Sequence, residues 1–213
     1  MILALFIPIL LASIVLHELA HAWQARREGD PTAERLGRIT LNPFAHLDWV
    51  GSFFVPALLY SMGGLIFGWA KPVPIDPNNF RSHPWSDIRV SLAGIVSNLG
   101  LALVLTLAAG PLVGWIGGGS PVAQTVGTAL AYGIFLNLIL AFFNLLPIPP
   151  LDGSHVVAHL LPREWAGRYR RFGRYGILAL MAIVFFLPDV LGVLLTPVDV
   201  VMGWVDSWVR LWR

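Results

Sequence analysis

The chain has 213 residues, of which 56% are hydrophobic and only 12% are charged, and its formal net charge is +2. Soluble domains carry about 25% charged residues, so this composition excludes an ordinary soluble domain and predicts an integral membrane protein in contact with the lipid bilayer. Cysteine is absent, which excludes disulfides and thiolate metal sites. Without a basic stripe or a nucleic-acid motif, we expect no nucleic acid partner.

The first apolar stretch, residues 2–25, is long enough to cross a bilayer as a helix. No basic residue precedes this stretch, and no small-residue cleavage site precedes the polar residues inside it. We therefore do not expect a cleavable signal peptide.

Two histidines and a glutamate lie in the second half of this stretch, in the run His17-Glu18-Leu19-Ala20-His21. Residues four apart share one face of a helix, so both imidazoles can reach one metal ion while the glutamate lies beside a water on that metal. A structural pairing of these side chains is the alternative, but such groups are costly in an apolar segment. We therefore predict His17 and His21 as metal ligands and Glu18 as a general base.

The next apolar segment, residues 49–69, contains helix-breaking residues at Pro56, Gly63 and Gly64. The arginine-containing loops on both sides of this segment are best placed in the cytoplasm. Because both ends then lie on one side, we predict a re-entrant hairpin. A conventional spanning helix is the alternative, since hydropathy alone would assign one.

The second half of the chain contains three further apolar stretches, at residues 89–116, 124–146 and 175–196. Residues 162–174 hold five arginines and one acid, which predicts a cytoplasmic loop. The tryptophan-rich tail, residues 198–213, is expected at the membrane interface, a short sixth span being the alternative. The sequence thus predicts one α-helical transmembrane domain over 1–213, with five to six membrane segments and no separate soluble domain.

Asp152 is the candidate third metal ligand. It follows an apolar helix, lies in a segment broken by three prolines and precedes Gly153. A carboxylate held at membrane depth requires a partner, which a metal ion supplies. The alternative is that Asp152 caps the helix that follows it. Solvation is expected to account for four acids of the polar loops: Asp30, Asp48, Asp76 and Asp87.

Several other polar residues are weaker candidates. His46 is a candidate for ordering the loop beneath the site, and Asn98 and Asn137 are expected to join helices by hydrogen bonds. His155 and His159 are four apart like the first pair, but no carboxylate lies between them, so we expect supporting or interfacial roles. His83 is expected at the surface.

Two motifs together resemble those of the site-2 protease family of intramembrane zinc metalloproteases. One is the His17 to His21 run, and the other is the segment from Asn144 to Gly153, which matches the family pattern N-x-x-P-x-P-x-L-D-G. The run from Ser91 to Asn98 also resembles a small-residue motif of this family, and residues 68–74 resemble a segment of its compact members. The resemblance covers essentially the whole chain.

The resemblance implies an endopeptidase that uses zinc-activated water to cleave the transmembrane helices of single-pass membrane protein or peptide substrates. It implies regulated intramembrane proteolysis or clearance of signal peptides. Parts of residues 35–88 are expected to form a membrane-associated β element that clamps extended substrate. By resemblance, the functional residues are three ligands of one Zn²⁺ ion (His17, His21 and Asp152), the general base Glu18, and Asn144 near the substrate or oxyanion; Asn98 and His46 are candidate supporting residues.

The PDZ and CBS modules of larger family members have no counterpart in this sequence, because no soluble stretch is long enough. The expected location is a prokaryotic inner membrane, with the active site toward the cytoplasm. The alternative function is a non-proteolytic zinc-binding membrane protein, such as a transporter or scaffold. A transporter would be expected to contain internal repeats, and the sequence contains none.

Overall fold

The computed structural model describes residues 2–55, 57–58, 61, 68–117 and 119–212. In chain order, the α-helices are α1 (Ile2–Glu28), α2 (Thr32–Arg35), α3 (Trp85–Ile116), α4 (Pro121–Asn144), α5 (Asp152–Leu160), α6 (Arg163–Phe172), α7 (Gly176–Phe186) and α8 (Pro188–Arg210). Among the described residues, four helices are long and apolar enough to cross a membrane, namely α1 from Phe6, α3, α4 and α8. The prediction of a helical integral membrane protein is confirmed.

Helices α3 and α4 form an antiparallel pair against which α8 packs. The turn between them is set by its end residues: Gly117 has a φ of 85°, and the hydroxyl of Ser120 accepts a hydrogen bond from the Ala123 N–H with Pro121 in the first turn. The shared core contains mainly small and branched residues, which are Ala102, Ala109, Ile134, Leu138, Val198 and Val205. Since lipid is as apolar as these faces, close packing is what holds the helices together.

Polar contacts fix α1 against α3 in an antiparallel register. Near the middle of α1, the Ser97 hydroxyl donates to the Leu16 carbonyl at 3.4 Å. At the end of α1, the Glu28 carboxylate accepts hydrogen bonds from the Ser86 hydroxyl and from two nitrogens of Arg89, each at 2.7 Å. A bidentate charge-assisted contact specifies geometry as well as adding energy. It therefore sets the height of every α1 residue against α3.

Asp30 lies immediately beyond α1 and is wholly buried, so the expectation that solvent accounts for it is wrong. Its carboxylate accepts hydrogen bonds from the backbone and hydroxyl of Thr32, the Asp76 N–H at 2.8 Å and the Asn79 amide at 2.9 Å. Burial raises the pKa of Asp30, but these donors lower the pKa by more, to below its ordinary value of 3.8. The carboxylate thus joins the end of α1 to the loop before α3.

The ends of the 49–69 segment contact one another. The segment begins with a π-helical turn, Val50–Phe54, and the Trp69 N–H donates to the Gly51 carbonyl at 3.1 Å. A straight span would separate its ends by about 30 Å. The contact shows that these ends lie close together, and the re-entrant hairpin stays a prediction. Its predicted breakers, Pro56, Gly63 and Gly64, lie outside the described residues, and the count of five to six membrane segments stays a prediction.

The expected β element is not seen among the described residues of 35–88. An extended stretch over 68–76 is present, but the N–H groups of Trp69, Lys71 and Val73 donate to acceptors in neighbouring loops and in α1. The two prolines within this stretch have no N–H. A β ladder needs free donors along one edge, and this stretch has few to offer.

The C-terminal helices differ from the prediction of one span over 175–196 and an interfacial tail over 198–213. The structure ends α7 and begins α8 at Leu187, whose φ of −131° and ψ of 49° are not helical. The next residue, Pro188, cannot continue a helical hydrogen-bond ladder but suits a first turn. The tail therefore belongs to the long helix α8, and Trp212 beyond its end packs over Gly110 of α3, where a side chain would overlap its ring.

Replacing Asp30 with alanine should destabilise the protein by at least about 2 kcal/mol, because several buried donors lose their acceptor. The midpoint of denaturant unfolding in detergent measures this loss. Since the folded-state pKa of Asp30 is depressed, its contribution is present above pH 3.8 and is lost as the pH falls through the folded-state pKa. Asp206→Ala is the control, because Asp206 is exposed and 4.0 Å from Arg210, and should change stability by under about 0.5 kcal/mol. Equal stabilities of the two variants would contradict the role of Asp30.

Candidate metal centre

His17 and His21 lie one turn apart on α1, and both side chains are buried. Their rings meet edge to face with centroids 4.6 Å apart. His21 Nδ1 lies 2.8 Å from the carbonyl oxygen of Val90 on α3. That bond requires the proton on Nδ1, so Nε2 of the neutral ring is left as the metal-binding nitrogen.

Gly94 of α3 makes room for both imidazoles. A Cβ atom at this position would lie 2.6 Å from His17 Cε1 and 2.7 Å from His17 Nε2, and closer still to His21 Nε2. Side chains do not tolerate such separations, so any residue other than glycine would displace the rings. The close approach of α1 to α3 at this height therefore depends on the missing side chain.

Asp152 brings the third donor atom to the two histidines. The two Nε2 atoms lie 3.0 Å apart, and Asp152 Oδ2 lies 3.2 Å from that of His17 and 3.3 Å from that of His21. Zinc bonds of about 2.0–2.1 Å in a tetrahedral site place ligand atoms about 3.3 Å apart. The three atoms thus have the spacing of three corners of a zinc tetrahedron.

The chemistry of these atoms also fits a metal. Asp152 Oδ2 and His17 Nδ1 are buried, and neither has a hydrogen-bond partner among the described residues. Two imidazoles and one carboxylate suit Zn²⁺, whereas Ca²⁺ and Mg²⁺ prefer oxygen ligands alone.

An unwound segment delivers Asp152 to this position. Helix α4 ends at Asn144 and α5 begins at Asp152, and the prolines between them preclude a continuous helix. A Cβ at Gly153 would overlap the Leu145 carbonyl, so the chain can fold back here only with glycine. The N-cap residue of α5 is Leu151, whereas Asp152 is the first helical residue and its Oδ2 faces the two imidazoles. The capping alternative therefore does not describe this carboxylate.

Glu18 is half-buried beside the cluster. Its Oε2 accepts a hydrogen bond from the Val73 N–H at 2.9 Å, and Val73 is itself buried against Ala22 and Ala33. One carboxylate oxygen is therefore held by the extended stretch. The other oxygen is left to accept a proton.

The structure does not join the remaining predicted site residues to the cluster by hydrogen bonds. The Asn144 amide donates to the Leu140 carbonyl of its own helix at 2.8 Å. His46 is buried, with Nε2 3.0 Å from the Thr40 carbonyl oxygen, an arrangement that orders the preceding turn. Asn98 is buried on α3, and neither atom of its amide has a partner among the described residues.

Three contributions to this centre were missed by motif reasoning: the Val90 carbonyl, the Val73 N–H and the space at Gly94. Backbone groups have no signature in the sequence. Gly94 does have one, because it lies in the run Ser91–Asn98 that resembles a small-residue motif of the family, but the sequence does not show which side chains that run would face.

Four polar residues form a second cluster near the start of α3. His155 and His159, predicted to have supporting or interfacial roles, both contact Asp87. The Asp87 side chain is only 13% exposed, so the expectation that solvent accounts for it is wrong. His83 is exposed, as predicted, but its ring packs edge to face on that of His159.

Comparison with known proteins finds a family and several relatives for this chain. The sequence profile described as peptidase family M50 matches residues 5–114 and 108–187. YwhC of Bacillus subtilis, named as a candidate zinc metalloprotease, is 37% identical over 183 residues, which is 84% of this chain and 78% of YwhC. Rip2 of Mycolicibacterium smegmatis, named in the same way, is 34% identical over 71% of this chain but only 56% of its own length. No solved structure matches the chain.

Replacing Gly94 with alanine should displace both imidazoles and lower zinc affinity by at least about 10-fold, as ligand misplacement does at other metal sites. Zinc retained after dialysis against a metal buffer, measured by mass spectrometry, is the readout. Gly100→Ala is a matched control on α3, because nothing lies within 4 Å of a Cβ there, and it should retain zinc. Full zinc retention by the Gly94 variant would show that this packing does not position the histidines.

Proposed function

The chain belongs to peptidase family M50, and on this premise we propose that it cleaves membrane-protein substrates within the bilayer at the centre formed by His17, His21 and Asp152. It is a zinc metalloprotease of the membrane. The observation that carries the proposal is the convergence of three donor atoms at zinc-like spacing directly beside Glu18.

The protein supplies the proton transfers of peptide hydrolysis. A zinc ion held by His17, His21 and Asp152 would polarise the scissile carbonyl and lower the pKa of bound water, so that hydroxide is available to attack at neutral pH. Glu18 accepts a proton from the attacking water through the oxygen that Val73 does not hold, and then donates this proton to the leaving amine nitrogen. The fixed Val73 contact keeps the carboxylate from rotating away between the two transfers.

Asn144 is proposed to donate its amide hydrogen to the oxyanion that develops on the scissile carbonyl. It lies at the end of α4, eight residues before Asp152, so the unwound segment carries both groups. In the free protein the amide donates to Leu140. Binding of substrate therefore has to turn the side chain away from its own helix.

The substrates are proposed to be single-pass transmembrane proteins or peptides. A helix shields its own carbonyls, so the substrate must unwind locally before water can attack. Parts of 35–88 are proposed to hold the unwound segment. Because the Trp69, Lys71 and Val73 N–H groups are already engaged, strand pairing would have to use other donors of this region.

We place the centre toward the cytoplasmic side of a prokaryotic inner membrane. His17 and His21 lie in the second half of α1, Asp152 follows the end of α4, and the arginine-rich helix α6 comes soon after it in the chain. Basic segments stay in the cytoplasm during insertion. Regulated proteolysis of membrane proteins or clearance of signal peptides are the processes that fit such a site.

Glu18→Gln should lower kcat for a model transmembrane peptide in liposomes by about 10²–10⁴-fold, because the amide cannot take the proton. Zinc content should stay unchanged, since Glu18 is not one of the three converging donors. Glu34→Gln, a matched change at an exposed residue paired with Arg26, should retain activity. Wild-type cleavage by the Glu18 variant would refute the mechanism, whatever its zinc content.

Asn144→Ala should lower kcat by about 10²-fold with little change in KM, because the contact is made chiefly in the transition state. Steady-state cleavage kinetics of the same peptide provide the measurement. Gln124→Ala removes an exposed amide side chain near the other end of the same helix, α4, and serves as the control. A rise in KM with unchanged kcat would assign Asn144 to ground-state binding instead.

A further inference from the structure

The second polar cluster lies outside the proposed active centre and joins three parts of the chain. His83 precedes α3, Asp87 lies in the first turn of α3, and His155 and His159 lie one turn apart on α5. Donor atoms of His83, Asp87 and His159 all lie within 4.8 Å of one another. Folding thus brings imidazoles from two distant segments to one carboxylate.

Both oxygens of Asp87 face histidines. His159 Nε2 lies 2.6 Å from Oδ2, and His155 Nδ1 lies 3.7 Å from Oδ1. In a tetrahedral zinc site the ligand atoms are about 3.3 Å apart. The His159 contact has to open by about 0.7 Å to match that spacing. Because a carboxylate in such a site gives one ligand oxygen, and His155 faces the other oxygen, the His155 ring has to move toward Oδ2 to join the three converging residues.

The cluster is anchored on its inner side and open on its outer side. The side chains of Asp87 and His159 are 13% and 7% exposed, whereas His83 is exposed and the His155 side chain is 54% exposed. His83, Asp87 and His155 line a cavity of about 350 Å³ together with Pro149. An ion can therefore enter from solvent and reach ligands that are already held in place.

We propose that His83, Asp87, His155 and His159 bind a second divalent transition-metal ion, with Zn²⁺ as the best match. Three imidazoles and one carboxylate form a nitrogen-rich donor set, which suits Zn²⁺, Co²⁺ or Ni²⁺ and disfavours Mg²⁺ and Ca²⁺. Four protein ligands close the coordination sphere, so this is a structural site and not a second hydrolytic centre.

One nearby cation has to move when the metal binds. Arg170 of α6 lies 3.5 Å from His159 Nδ1, where it contacts the ring as a donor. Once Nε2 ligates the metal, Nδ1 of the neutral ring carries the proton and can no longer accept from Arg170. The arginine is exposed, so it can turn toward solvent.

The second site shares two helices, α3 and α5, with the first centre. Helix α5 begins with Asp152 and carries His155 and His159, while α3 carries both Asp87 and Gly94. A metal at the second site would clamp α5 onto α3. It would thereby hold Asp152, the third ligand of the first centre, at a fixed position along α3, which packs against His17 and His21.

Zinc binding to the full-length protein, purified in detergent without a polyhistidine tag, tests this site. His17→Ala/His21→Ala removes the first centre and should still retain about one zinc ion per chain at micromolar free zinc. Adding His83→Ala or Asp87→Asn to that background should lower the affinity of the retained zinc by at least about 10-fold. Co²⁺ substitution should give the visible absorption of a tetrahedral site in the first variant and lose it in the second.

Asp189→Asn is the matched control, because Asp189 occupies the first turn of α8 as Asp87 does that of α3. In the same background it should keep the zinc. Thermal unfolding without metal tests whether the variants fold, and added zinc should raise Tm only where the second site is intact. The proposal is overturned if the His17/His21 variant binds no zinc at micromolar concentration, or if it keeps zinc after loss of His83 and Asp87. These outcomes are independent of peptide cleavage and leave the proposed function untouched.

Discussion

The rest of the structure depends on one constraint, which is the convergence of two imidazoles and a carboxylate inside an apolar helical bundle. Their donor atoms lie 3.0–3.3 Å apart with little access to water. In such surroundings, buried polar atoms without a hydrogen-bond partner cost free energy unless they bind a common cation. The glycine of α3, the unwinding before Asp152 and the orienting Val90 carbonyl all serve this convergence. The chain therefore leaves the helical conformation before Asp152, inside the bundle, where a soluble enzyme would use a loop.

Helices approach one another closely at positions where a glycine has no side chain. Gly94 admits the histidines, Gly153 lets α5 fold back on the Leu145 carbonyl, and Gly110 receives Trp212. Because helices in lipid gain nothing from excluding lipid, their association depends on packing at such points. At the end of α1, the Glu28–Arg89 pair and buried Asp30 fix the register between α1, α3 and the intervening loop. A register error of one residue would turn His17 and His21 away from Asp152.

The candidate site was predicted more completely than the fold around it. The helical spacing of His17 and His21 and the proline-broken context of Asp152 were enough to select the residues that the structure brings together. Asp30 and Asp87 were interpreted as solvated, because nothing adjacent in sequence indicates their distant partners. The end of α7 at Leu187 was also missed, although Pro188 marks it. A hydropathy value is an average over many residues, so one helix break within the window does not change it noticeably. Hydropathy also did not show that the ends of the 49–69 segment lie close together, which only the contact between Gly51 and Trp69 reveals.

The sequence by itself determined the membrane class, the chemistry of the site and the identities of its three candidate ligands. Composition predicts the membrane class, helical spacing predicts His17 and His21, and the proline-broken context together with the family resemblance predicts Asp152. Only the tertiary structure decided the partners of Glu18 and His21, the clearance at Gly94 and the meeting of His83, Asp87, His155 and His159. Each of those contacts joins residues more than fifty positions apart. Backbone groups or the missing side chain of a glycine provide several of these contacts. Such groups acquire a role only when folding sets the height of one helix against another.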